Sequence, residues 1–114
     1  MNSIFISGAA QGIGAAVATL FYKQGYKVGI YDLNTEKAQQ LANNLGEHAK
    51  AGLLDVSNYA QWQSALAEFN AWAGQINILV NNAGILSQPE APGRAVWLYV
   101  CRMAGNADSF VDAY

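Results

Sequence analysis

The segment Gly8-Ala9-Ala10-Gln11-Gly12-Ile13-Gly14 has the clearest chemical potential in this sequence, because it joins a short apolar run to a stretch with helical spacing. A helix N-terminus offers unpaired N–H groups to a phosphate, and side chains there would block close approach. We expect Gly8 to allow a sharp turn, Gly12 to let the backbone approach a pyrophosphate, and Gly14 to let the helix pack closely. A glycine-rich turn with no ligand is the alternative interpretation.

Asp32 is the second feature, 18 residues after Gly14 and at the end of the next apolar run. A carboxylate at this position can accept hydrogen bonds from both hydroxyls of an adenosine ribose, and it would repel a 2′-phosphate. Gln11 and Leu33 flank the predicted pocket, and neither is a cation that could pair with a phosphate. The charges therefore favour NAD(H) over NADP(H). The alternative is a solvated turn residue before a helix.

Residues 1–84 alternate between strand and helix patterns, which predicts an α/β fold with parallel strands and right-handed crossovers. The expected strands are residues 4–6, 28–31, 51–54 and 76–80. Residues 85–114 do not continue the pattern, and periodicity does not decide the structure of residues 95–103.

Three helices are expected between these strands, and each has a side that should face the sheet. Asn34 or Thr35 can cap the second helix, and Ser57 can cap the third. The predicted inner positions are Ile13, Ala16, Val17, Leu20 and Phe21 in the first helix, Ala38, Leu41, Ala42 and Leu45 in the second, and Trp62, Ala65, Leu66 and Phe69 in the third.

Four short motifs in order resemble the short-chain dehydrogenase/reductase family: Ser7-Gly8-x-x-x-Gly12-Ile13-Gly14, Asp32, Asp55-Val56 and Asn81-Asn82-Ala83-Gly84. The resemblance covers residues 1–86. It implies a Rossmann-like parallel sheet with four strands in the order 3-2-1-4, and a nicotinamide dinucleotide as cofactor.

The resemblance also implies roles for individual residues. The loop residues Gly8, Gly12, Ile13 and Gly14, with Gln11 beside them, would hold the dinucleotide. Asp32 would bind ribose next to Leu33. Asp55 and Val56 would contact adenine. Asn81, Ala83 and Gly84 would lie beside the nicotinamide-side ribose, and Asn82 would steady the fourth strand.

The chain departs from the family pattern after residue 86. In the family, a catalytic Ser and a Tyr-x-x-x-Lys motif follow the asparagine motif, which here is Asn81-Asn82-Ala83-Gly84. The four lysines of this chain, at positions 23, 27, 37 and 50, all precede that motif. We therefore predict no catalytic residue and no metal ligand. The expected organisation is a dinucleotide-binding half-domain, residues 1–86, with an atypical tail, residues 87–114. A truncated, inactive oxidoreductase fragment and a natural short NAD-binding protein both stay open.

The family has further strands beyond the fourth. Without them, residues 76–80 would form an unpaired apolar edge, which favours self-association or pairing with an intact homologue. A non-catalytic interaction protein that pairs through this edge is thus the alternative function.

The composition excludes several kinds of partner and site. The 114 residues are 53% hydrophobic and 12% charged with a net charge of −2, so neither nucleic acid nor a membrane is an expected partner. A single cysteine, Cys101, and a single histidine, His48, argue against a disulfide framework and a zinc site. A cytoplasmic protein is expected, and the sequence does not indicate its substrate.

Overall fold

The computed structural model describes residues 1–82 and 109–112, which form one parallel sheet with helices on both faces. The strand order is β3-β2-β1-β4-β5. The predicted α/β class and the order 3-2-1-4 of the first four strands are therefore confirmed. The elements are β1 (Ser3–Ser7), α1 (Gly12–Lys23), β2 (Lys27–Asp32), α2 (Thr35–Leu45), β3 (Ala49–Leu53), α3 (Tyr59–Ala73), β4 (Ile78–Asn81) and β5 (Ser109–Asp112).

The fourth strand is not an edge of this sheet. β4 begins two residues later than predicted and pairs with β1 on one side and with β5 on the other, where Ile78 lies opposite Ser109. The prediction of an unpaired edge at residues 76–80 is therefore wrong, and the reason to expect association through it disappears. The signal for β5 is weak because only Phe110 and Val111 in it are residue types that favour strands.

Helix α1 is rotated from the predicted orientation. Ile13, Ala16 and Leu20 are exposed, and Ile13 and Leu20 are 71% and 53% accessible to solvent. Gly14 and Ala18 are the buried positions instead. The contact of Gly14 with the preceding loop sets the rotation of the helix, and apolar periodicity does not report such a contact.

The sheet separates two cores of different composition. The face covered by α3, here called the aromatic face, is built around Phe5, Tyr31, Trp62 and Phe69. The face covered by α1 and α2, here called the aliphatic face, contains branched strand residues and small helix residues. The predicted inner positions of α2 and α3 lie in these cores. The aliphatic face comprises Ile4, Ile6, Ala9, Ala18, Val28, Ile30, Ala38, Ala42 and Val80.

Glycines in the strands make room for the rings of the aromatic face. A Cβ at Gly29 would lie 2.8 Å from the ring of Phe69, and a Cβ at Gly52 would overlap the ring of Tyr31. The Tyr31 ring stacks on Phe5 with a centroid distance of 4.6 Å. The large side chains can therefore lie flat against the sheet only because these two positions carry no side chain.

Asparagine side chains cap two of the three helices. Asn34 Oδ1 accepts a hydrogen bond from the Lys37 N–H at 3.1 Å, which decides between Asn34 and Thr35 as the cap of α2. Asn58 Oδ1 accepts from the Gln61 N–H at 3.1 Å and caps α3. The predicted cap Ser57 is wrong by one residue, because its hydroxyl donates to Asp55 instead.

Candidate functional site

Helix α1 begins without a side-chain cap, unlike α2 and α3. Its N-cap residue, Gln11, makes no capping hydrogen bond within the described residues. Gly12 follows with φ +62°, and among the described residues no atom outside its own helix and chain neighbours lies within 4 Å of the place where its Cβ would be. Because the first N–H groups of a helix lack intrahelical partners, this end of α1 presents donors beside open space. An anion can approach the backbone there.

Gly8 and Gly14 shape the loop that leads into α1. Gly8 has φ +66°, and its N–H donates to the Tyr31 carbonyl at 2.8 Å. A Cβ on Gly14 would overlap the Gly8 carbonyl oxygen and lie 2.9 Å from Ala9 Cα. The structure thus has the sharp turn and the close packing predicted for these two glycines.

Asp32 holds the same loop from the end of β2. Its Oδ2 accepts a hydrogen bond from the Ala10 N–H at 3.0 Å, and its Oδ1 accepts from the Asn34 N–H at 2.9 Å. Each carboxylate oxygen keeps lone pairs for a further donor. The carboxylate therefore has a fixed position between the glycine loop, residues 8–14, and the start of α2.

The asparagine motif joins the loop from the other side. Ser7 Oγ donates to Asn81 Oδ1 at 3.0 Å, and it accepts from the Asn82 N–H at 3.1 Å. Asn82 Nδ2 donates to the Gly8 carbonyl at 3.1 Å. Asn82 therefore positions the glycine loop as well as the end of β4. The predicted site residues Ala83 and Gly84 lie outside the described residues.

Asp55 and Val56 follow β3 at the carboxyl ends of the parallel strands, the edge of the sheet at which Asp32 and Asn81 also lie. Asp55 Oδ1 accepts from the Ser57 hydroxyl at 2.6 Å and from its N–H at 3.0 Å. These hydrogen bonds, the hydroxyl first, lower the pKa of Asp55 and favour its charged form. The Val56 carbonyl accepts from the indole N–H of Trp62 at 2.9 Å.

Two residues near this edge were missed by sequence reasoning. Lys37 Nζ donates to Gln11 Oε1 at 3.0 Å across the gap between α2 and α1, although the two residues are 26 positions apart. Gln61 Oε1 accepts from the Asp55 N–H at 2.7 Å. Both contacts depend on tertiary structure, so no local pattern in the sequence could have indicated them.

The edge therefore combines backbone donors, a fixed carboxylate and exposed apolar side chains. Leu33 is 65% exposed beside Asp32, and Ile13 is exposed beside Gly12. Such a set can bind an anion, accept hydrogen bonds from hydroxyl groups and contact a flat ring. The described residues hold no group of three or more His, Cys, Asp or Glu placed to bind a metal ion. None of their helices has both the length and the apolar character that crossing a bilayer requires.

A family model described as short chain dehydrogenase matches residues 2–96. The chain belongs to the short-chain dehydrogenase family. The match includes the glycine loop, Asp32 and the whole asparagine motif.

Curated members of the short-chain dehydrogenase family resemble this chain over about 70% of its length. The 3-beta-hydroxysteroid dehydrogenase of Comamonas testosteroni is 42% identical over 81 residues, which are 71% of this chain and 32% of that protein. The 2,3-dihydro-2,3-dihydroxybenzoate dehydrogenase of Bacillus subtilis is 42% identical over 85 residues, or 72% of this chain and 33% of that protein. This short-chain dehydrogenase sequence therefore spans about a third of the length of these relatives.

A solved structure of the same family has a similar fold. The 3-ketoacyl-(acyl-carrier-protein) reductase from Brucella melitensis, complexed with NADH, has a TM-score of 0.72 and 32% identity. The alignment covers 89% of this short-chain dehydrogenase chain and 47% of the reductase.

Proposed function

We propose that the site binds NAD(H) and that the chain is the cofactor-binding part of a short-chain dehydrogenase. One observation supports this most directly: α1 begins without a cap at Gly12, while Asp32 holds the amide of Ala10 in the same loop. N–H donors for a phosphate and a carboxylate that can accept from ribose hydroxyls are thus adjacent, as an adenine dinucleotide requires. The similar reductase, which was solved with NADH, supports the same class of ligand.

Each part of the cofactor has a proposed partner in this chain. The amides of residues 12–14 bind the pyrophosphate, and Asp32 accepts hydrogen bonds from the adenosine ribose. The Asp55 carboxylate accepts from the adenine amino group, with Val56 and Leu33 against the ring. Asn81 is assigned to the nicotinamide-side ribose, and the family resemblance gives Ala83 and Gly84 the same role. In a complete member of the family, the nicotinamide held there would supply or accept the hydride.

We propose that these 114 residues bind the cofactor without turning over a substrate. Alcohol oxidation requires a group that takes the hydroxyl proton, and a tyrosine with its ordinary pKa near 10 needs a nearby cation to do so at neutral pH. No tyrosine in this sequence stands four residues before a lysine. Oxidoreduction is therefore proposed for the family fold, and the described residues are assigned to binding.

Fluorescence provides the test, because the Trp62 indole is bonded to the Val56 carbonyl at the proposed adenine contact. Titration of the 114-residue chain with NADH should show energy transfer from tryptophan to the dihydronicotinamide. Asp32→Ala should weaken binding at least about tenfold, since it removes an ionised acceptor worth about 1.5–3 kcal/mol.

Glu36→Ala is the matched control, because Glu36 is an exposed carboxylate in the first turn of α2. It should leave the NADH affinity within about twofold, as expected for a surface substitution. Saturable NADH binding that Asp32→Ala does not weaken would show that the carboxylate has another role. No binding at all would refute the proposed function. NADH consumption with a panel of ketones would refute binding without turnover.

A further inference from the structure

Lys37 places an ammonium group at the rim of the proposed site. It lies in the first turn of α2, is exposed, and donates to the side-chain oxygen of Gln11, the N-cap residue of α1. Among the side chains of residues 1–82, the ion pair within 4.0 Å joins His48 and Glu47, and Lys37 forms no ion pair with any of them. Its hydrogen-bond acceptor here is a neutral amide, so its charge is not compensated by a carboxylate in contact.

The same loop connects Lys37 with Asp32. The Ala10 N–H donates to the Asp32 carboxylate, and the side chain of the next residue, Gln11, accepts from Lys37. One negative and one positive group are thus held by consecutive residues of the loop. The prediction of NAD(H) rests on Gln11 and Leu33, neither of which is cationic, whereas the fold brings the charge of Lys37 to the same loop.

We propose that Lys37 is a specificity-determining residue that lets the site accept NADP(H) as a second cofactor beside NAD(H). This inference rests on the proposed function. A phosphate monoester is a stronger acceptor than an amide oxygen, so Lys37 exchanges Gln11 for the 2′-phosphate when that group is present. Asp32 still repels the phosphate, and NAD(H) stays the preferred cofactor.

The relative named NADP-dependent 3-hydroxy acid dehydrogenase in Shigella flexneri is 37% identical over 82 residues, so NADP dependence occurs among proteins this similar. The competing explanation for Lys37 is a simple tether between α2 and the loop. An exposed tether contributes little and would not distinguish between two cofactors that differ only by a phosphate.

Titrations of the 114-residue chain with NADH and with NADPH separate the two explanations. Lys37→Gln should raise the Kd for NADPH about five- to tenfold more than the Kd for NADH, the loss expected for one charge-assisted contact at an exposed site. Lys37→Arg keeps the charge and should retain most of the NADPH affinity. The difference should shrink at 0.5 M salt, because exposed charges are screened.

Lys23→Gln removes the same charge from an exposed position at the other end of α1 and should leave the ratio of the two Kd values unchanged. In an Asp32→Asn background, NADPH should bind more tightly, and adding Lys37→Gln should reverse that gain. An unchanged ratio in Lys37→Gln, or wild-type chain that binds NADH but not NADPH, overturns this inference alone. A chain that binds neither cofactor overturns the proposed function as well.

Discussion

The two faces of the sheet use glycine for opposite purposes. On the aromatic face, Gly29 and Gly52 lie within strands and leave space for the rings of Phe69 and Tyr31. On the aliphatic face, Gly14 lies in the first turn of α1 and lets this helix approach the loop at residues 8–9 until backbone touches backbone. At Gly29 and Gly52 the missing side chain leaves room for large rings, whereas at Gly14 it lets the helix backbone pack directly against the loop backbone.

This difference indicates how mutations on each face should act. A change at Gly29 or Gly52 disturbs the rings of Phe69 and Tyr31, which make no proposed ligand contact, so it should reduce the free energy of unfolding. A change at Gly14 displaces the amides of the loop, so it should reduce cofactor binding more than stability.

The largest expected effect comes from Gly52→Val. The new side chain would overlap the Tyr31 ring, of which Cδ2 lies 2.8 Å from the position of the added Cβ. The ring cannot easily move, because it stacks on Phe5 and its hydroxyl donates to Glu68 Oε1 at 2.8 Å. We expect a loss of about 3 kcal/mol in the free energy of unfolding, typical of severe overpacking, measured by urea titration.

The double variant Gly52→Val with Tyr31→Leu tests the stated cause. If the Tyr31 ring is the obstacle, the two losses will not add, and the coupling should be about 1 kcal/mol or more. Additive losses would mean that Gly52→Val acts through the backbone of β3, and the account of the aromatic face would be wrong.

Gly14→Ala should have a moderate effect on stability and a larger one on binding. The added methyl would overlap the Gly8 carbonyl oxygen, whereas alanine improves helix propensity by about 1 kcal/mol. We expect a net loss of up to about 2 kcal/mol in the free energy of unfolding, because overpacking costs about 1–3 kcal/mol and the propensity gain offsets about 1 kcal/mol of it. NADH should bind at least about tenfold more weakly by the fluorescence titration, since about 1.4 kcal/mol of lost phosphate contact is tenfold in Kd.

Ala16→Gly is the control for this prediction, because Ala16 is exposed in the same helix. It should reduce the free energy of unfolding by about 1 kcal/mol through lower helix propensity alone, and it should leave the NADH affinity unchanged. Equal effects of the two variants on NADH binding would contradict the role of Gly14 in placing the amides of the loop.

Tyr31→Phe should give the smallest effect, about 1 kcal/mol near neutral pH, because it removes one hydrogen bond to Glu68. Burial, then the hydrogen bond to Glu68 and its charge, raises the pKa of Tyr31 above its ordinary value of 10.0. As the pH rises past about 10, the unfolded chain therefore loses this proton before the folded chain does, and the unfolded state is favoured. The free energy of unfolding of wild type should fall by up to about 1.4 kcal/mol per pH unit there.

Tyr31→Phe lacks this contribution, so its stability should approach that of wild type above pH 10 in urea titrations. Tyr59→Phe, at a half-exposed tyrosine, should change the stability at pH 8 by less than about 0.5 kcal/mol. A constant difference between wild type and Tyr31→Phe from pH 8 to pH 11 would contradict the assignment.

Sequence patterns predicted most of the fold because the strands are short apolar runs and the helices α2 and α3 have regular inner faces. They failed where tertiary contact decides the outcome. The rotation of α1 depends on Gly14 against the loop, and β5 depends on β4 as its partner. The cap of α3 moved to Asn58 because Ser57 bonds to Asp55.

In the proposed site too, local sequence indicated some residues and tertiary contact decided others. Gly8, Gly12, Gly14 and Asp32 were predicted from spacing, and the structure brings them together at one edge. Lys37 was not predicted, because its contact with Gln11 joins two helices whose relative position only the folded sheet defines.

Three hydrogen bonds hold the glycine loop. Its Gly8 and Ala10 N–H groups donate to the Tyr31 carbonyl and the Asp32 carboxylate at the end of β2, and the Asn82 side-chain amide donates to the Gly8 carbonyl. The loop is consequently preorganised, since its conformational entropy is lost when the sheet forms rather than when a ligand arrives. Association should then proceed in one kinetic phase whose rate rises in proportion to the ligand concentration, without a slower isomerisation step.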